Sequence, residues 1–146
     1  MKKLVPSAIC VITLAILAIG CSKTKSKTGL EAFGISIEGK WSLVVDSTWS
    51  GIGPISTLSV HKGTPLDYWD FRTDGRVYVQ EGVKRDTLGY EMNSQTAITI
   101  GQFGWILNGQ QSISTIRVLT AHKAVIKSNT LATPGGVYIR TLYLER

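Results

Sequence analysis

Few side chains in this sequence could do acid–base, metal or nucleophilic chemistry: 2 histidines, 10 carboxylates and 2 cysteines. His61 and His122 each fall beside a lysine in an expected turn, and no His-x-His spacing brings a second ligand near either one. Both are expected on the surface. Asp74 and Asp86 stand where turns favour aspartate for conformational reasons. Asp67 and Asp70 fall on opposite faces of one strand, so that strand alone cannot make them an acid–base pair. The chain has no Gly-x-Ser-x-Gly, no glycine loop built to cradle phosphate and no His-Glu-x-x-His. The expectation is a protein without catalytic residues, metal or cofactor. Among these groups only Cys21 sits in a chemically pointed context. It follows an uncharged, largely apolar run over residues 4–20 that is led by Lys2 and Lys3, the pattern of an export signal cut after small residues. Cys10 lies inside that run and leaves with it. The mature chain then keeps one thiol, with no intramolecular disulfide and no thiolate cluster for zinc.

The residues around the cut say more. Ala18-Ile19-Gly20-Cys21 resembles the lipobox of bacterial lipoproteins, with alanine where leucine is more usual. The resemblance implies that the Cys21 thiol takes a diacylglyceryl group as a thioether. Cleavage after Gly20 would free the Cys21 amino group for a further acyl chain. Two other readings of the run stand beside it. One is an uncleaved anchor, since about 17 apolar residues is the short limit for crossing a bilayer. The other is an ordinary signal peptide followed by an incidental cysteine.

Residues 22–29, Ser-Lys-Thr-Lys-Ser-Lys-Thr-Gly, hold nothing apolar to bury and read as a flexible spacer. Residues 1–20 are thus the expected signal, 21–38 a lipidated polar tether, and 39–146 the folded domain. The net charge of +6 belongs mainly to the leader and tether lysines, and about +1 remains for the rest. Lys23, Lys25 and Lys27 would attract anionic headgroups, each by about 1 kcal/mol near the surface, or would simply be solvated. The body has no basic stripe with interleaved aromatics, so nucleic acid is not an expected partner.

What must position any binding residues is a set of strands. From Gly39 onward the periodicity is close to two, and no segment holds a helical pattern long enough for a core helix. Runs are expected at 41–46, 55–60, 68–71, 76–80, 87–92, 97–100, 113–119, 124–128 and 137–145. Asp74-Gly75 reads as a two-residue hairpin with both residues at positive φ. Turns are also expected at Val83-Lys84-Arg85, Asn93-Ser94-Gln95, Ala121-His122-Lys123 and Thr133-Pro134-Gly135-Gly136. Trp49 to Pro54 reads as a glycine-rich loop carrying a tryptophan. Short, evenly spaced strands predict an all-β domain, a small antiparallel meandering barrel of about eight strands, since closure removes edges.

Gly39-x-Trp41 on the first strand resembles the Gly-x-Trp signature of lipocalins, whose tryptophan closes one barrel end. The chain is more closely similar to the lipocalin-like lipoproteins of Bacteroidota. The residues that carry this are the lipobox, the polar tether, Gly39 and Trp41, the aromatic strand turning through Trp69-Asp70-Phe71-Arg72-Thr73-Asp74-Gly75, and the run Ile116-Arg117-Val118-Leu119-Thr120. The resemblance implies a cell-envelope protein held through Cys21 to the outer membrane. The lack of acidic residues after Cys21 favours the periplasmic face. Trp69, Phe71, Tyr90 and Trp105 lie on alternating stretches and would line a barrel cavity for a small apolar or amphipathic ligand, or would fill the core. Two functions remain open: a carrier of such a ligand, and a protein-interaction lipoprotein (a protease inhibitor or envelope assembly partner) working through its loops.

Overall fold

The computed structural model describes residues 35–103, 112–133 and 135–146. Gly20, Cys21 and Trp105, singled out above, lie outside them. The strands are β1 (Gly39–Gly51), β2 (Thr57–Lys62), β3 (Tyr68–Phe71), β4 (Arg76–Glu81), β5 (Lys84–Ser94), β6 (Ala97–Ile100), β7 (Ile113–Leu119), β8 (Lys123–Lys127), β9 (Leu131–Thr133) and β10 (Gly136–Glu145). A single 3-10 turn at Gly53–Ile55 is the one helical element among the described residues.

Every pairing is antiparallel, and the order runs β1-β3-β4-β5-β6-β7-β8-β10 before β10 returns to β1. This closes a barrel of eight strands, the architecture that the alternation predicts. Two strands are extra. β1 is long enough to pair with β3 through Gly39–Ser42 and then with β2 through Val45–Ser50 along the same side. β10 likewise pairs with β8 through Thr141–Glu145 and with β9 through Gly136–Tyr138. The far ends of β1 and β10, with β2 and β9, therefore form a four-stranded extension in the order β2-β1-β10-β9.

The core follows from the alternation. Trp41 and Leu43 of β1, Trp69 and Phe71 of β3, Val77 and Val79 of β4, and Ile98 and Ile100 of β6 are buried. Ala124 and Ile126 of β8 and Leu142 and Leu144 of β10 join them. A bulge between Leu43 and Val45 shifts the phase of β1, so that Asp46, rather than Val45, stands opposite buried Leu142. Ile37, two residues ahead of Gly39, belongs to the same core, so packing begins inside the segment expected to be tether.

Several local expectations change. Trp49 is half-buried inside β1, paired with Ile139 and Leu58, and is not in a loop. The strand continues because it has partners on both sides up to Ser50. β2 begins at Thr57, with Ile55 in the 3-10 turn, and His61 lies within β2 instead of a turn. The hairpin after β3 has three loop residues. Arg72 N–H donates to the Arg76 carbonyl, Gly75 N–H donates to the Arg72 carbonyl, and Gly75 alone takes positive φ, at 79°. Asp74 is spared that conformation because the extra residue turns the hairpin into a tight turn plus a glycine bulge. The next turn is centred on Gly82-Val83, and Lys84 and Arg85 already belong to β5. Thr133 and Gly136 are strand residues, in β9 and β10.

Candidate functional site

Trp41 and Arg146 meet at one barrel end. Trp41 is wholly buried and donates its indole N–H to the Ile37 carbonyl at 2.6 Å. The guanidinium of Arg146 lies 3.9 Å from its ring centroid. Arg146 also donates to the carbonyls of Ser36, Glu38 and Ala121. Its planar fork thus ties the entering chain, the C-terminal strand and the β7–β8 loop together over the tryptophan face. Sequence reasoning missed Arg146, since nothing local pairs a final residue with a tryptophan 105 positions earlier.

Of the residues expected to line a cavity, Trp69, Phe71 and Tyr90 are packed against one another. Trp69 and Phe71 are buried, with ring centroids 6.2 Å apart. Phe103 meets Trp69 edge-on at 5.7 Å, and Tyr90 meets Phe71 edge-on at 5.1 Å. The Tyr90 hydroxyl donates to the Arg72 carbonyl. Burial, with the negative charges of Glu38 and Asp74, pushes that phenol up to about 12.

At the other end of the barrel is an ion cluster. Arg140 of β10 donates to both carboxylate oxygens of Asp46 through Nε, at 3.0 and 2.9 Å, and again through Nη2. The same Nη2 reaches Glu81 Oε1 at 3.1 Å, and Glu81 accepts the Trp69 indole N–H at 2.9 Å. The guanidinium also lies over the rings of Trp69 and Phe103. Burial by itself would lower the Arg140 pKa, but the Asp46 bonds and the charges of Asp46 and Glu81 raise it above the ordinary value. The cation is therefore fully paired, and with two carboxylates to one guanidinium the cluster carries an excess negative charge. The adjoining cavity, lined by Lys84, Asp86, Gln102 and Arg140 among others, measures about 40 Å³, room for two or three waters.

Asp67 forms a second buried polar centre. It accepts from the Thr64 and Gly82 backbone N–H groups at 2.8 and 2.6 Å and lies 3.1 Å from His61 Nε2. Burial alone would raise its pKa. The backbone bonds from Thr64 and Gly82, with His61 and the Thr64 side chain, outweigh burial and hold it at about 2. Asp67 thus pins the β2–β3 loop to the β4–β5 turn. Among the described residues, no three His, Cys, Asp or Glu side chains gather to hold a metal ion.

One apolar space lies on the outer wall. A groove of about 380 Å³ runs over Val44, Val45, Val118, Val125 and Tyr143. Beyond it the outer face of β2 shows Leu58 and Val60, 62% and 48% exposed. No family model, curated protein or solved structure matches the chain.

Proposed function

We propose that this is a membrane-tethered lipoprotein of the cell envelope, lipidated at Cys21 and facing the periplasm. Its lipocalin-like barrel does no chemistry and presents its outer surface to a protein partner. The observation that carries this reading is where the apolar groups lie. Trp41, Trp69, Phe71 and Phe103 are each no more than 1% exposed and belong to one packed core cluster, which favours a filled barrel end over a ligand chamber among the described residues. The apolar groove and the aliphatic strand face are outside. Ligand pockets of hundreds of Å³ are the rule for small-molecule carriers, and the 40 Å³ cavity beside Arg140 is far below that.

Native mass spectrometry of the intact chain, extracted from its own membranes in mild detergent, tests the reading. The expected spectrum shows the mature mass plus acyl chains on Cys21 and no further small molecule. A copurified lipid or metabolite that survives gentle activation would favour carriage inside the barrel, and an unacylated Cys21 would remove the tether.

A further inference from the structure

We propose that β2 is a strand-addition site, which captures an extended segment of a partner polypeptide along its open edge. The proposal rests on the protein-interaction reading and names where and how the partner is held.

β2 pairs with β1 along one side, over six residues with no register shift, and among the described residues with no strand along the other. The phase of its backbone follows from one bond. Gly63 N–H donates to the Val44 carbonyl, which makes Val44 and Gly63 a hydrogen-bonded pair. Antiparallel pairs alternate between bonded and non-bonded, so Asp46–His61, Thr48–Ser59 and Ser50–Thr57 are the bonded pairs of this ladder. Leu58, Val60 and Lys62 then turn their N–H and C=O groups away from β1, toward the open side. Their side chains share the outer face with Val45, Ser47 and Trp49, the residues opposite them.

Proteins usually protect such an edge by keeping it short, or with proline, bulges or charge. The other outer strand here is protected: β9 is only three residues long and is followed by Pro134. β2 carries no proline and no bulge, and its one lysine is at the far end. The outer face of β2 reads aliphatic, aliphatic, cation, and Lys62 has no carboxylate partner among the described residues. An occupant of matching chemistry is an extended peptide with branched aliphatic side chains at alternate positions and a carboxylate opposite Lys62. Main-chain bonds would hold it and the alternate side chains would select it. A second copy fits less well. Keeping outer face on outer face about Val60 sets each Lys62 against a Leu58. A six-residue edge also falls short of the roughly 1,200 Å² that stable dimers bury.

The test is residue-resolved amide hydrogen exchange on the intact chain in detergent. The probe is a short capped peptide of alternating valine and threonine that ends in glutamate. Exchange at the Leu58, Val60 and Lys62 amides should slow by roughly five- to tenfold, the effect of about one net hydrogen bond. Val60→Pro removes one outward N–H without touching the β1 ladder and should abolish the slowing. The same peptide N-methylated on its bonding edge should fail on the unaltered protein, which covers a poorly folding variant. No slowing at these three amides, or equal slowing by the N-methylated peptide, overturns the proposal. So does a native partner that crosslinks equally to the unaltered chain and to Val60→Pro, although the interaction reading would then survive. Conversely, a chain that copurifies with lipid yet shows edge protection keeps the edge and loses that reading.

Discussion

Arg140 shows how a buried charge constrains its neighbours. Two carboxylates, Asp46 and Glu81, face one guanidinium between two aromatic rings. Removing one partner of a buried ion pair costs on the order of 3–5 kcal/mol, because the other charge is stranded. Arg140→Met should therefore destabilise the barrel by about that much in urea unfolding. Arg140→Met combined with Asp46→Leu and Glu81→Gln should cost less than the single change, since no buried charge is orphaned and glutamine still accepts from Trp69. A triple variant weaker than the single would mean that the cluster stabilises outright. Asp67 gives a pH signature. Its folded pKa of about 2 lies below the ordinary 3.8. Its contribution is thus complete above 3.8 and lost as pH falls through about 2. Asp67→Asn should flatten that part of the acid stability curve and lower stability at neutral pH, both readable by denaturation at stepped pH.

At the scale of strands, much was legible in the sequence, because each inward residue alternates with an outward one and core packing enforces that period. Trp41, Trp69, Phe71, Val77 and Val79 lie in the runs where alternation placed strands. The misreading of β1 has a clear cause. Ser47 and Ser50 look like loop chemistry, yet β1 runs through them because β2 and β10 satisfy both its edges. Pairing between distant segments has no local sequence mark. The Arg140 cluster was illegible for the same reason, since Asp46 and Glu81 lie 94 and 59 positions away. A close approach at Gly63 is also invisible in one dimension. A Cβ there would sit 1.7 Å from the Leu43 carbonyl oxygen, a backbone atom that cannot yield alone. Gly63→Ala should force β1 and the β2–β3 loop apart. The expected cost is about 2 kcal/mol or more, in the range of severe steric substitutions. Exchange should be fastest at the Leu43 amide, which donates to the Asp67 carbonyl across that junction. An unchanged denaturation midpoint would show that the junction opens easily.

For the whole molecule, the consequence is a division of labour between the two ends of the barrel. The chain enters where Trp41 and Arg146 clamp it, so a tether through Cys21 would hold that end toward the membrane. The far ends of β1 and β10, with β2, would then point away from it, where a partner could reach the open edge. This arrangement depends on residues ahead of the Gly-x-Trp signature. Ile37 fills the core and accepts the Trp41 N–H, and the Ser36 and Glu38 carbonyls accept from Arg146. A chain cut to begin at Gly39 keeps every strand but loses all of these. Burial of Ile37 alone contributes about 2–3 kcal/mol, and an unpaired buried Trp41 N–H adds about 1–3 kcal/mol. Compared with a chain beginning at Ile35, the shorter one should unfold at distinctly lower urea with an unchanged slope, and its Trp41 fluorescence should be more open to quenching. Equal midpoints for the two would place the structural start of the barrel at Gly39 and leave the clamp without energetic weight.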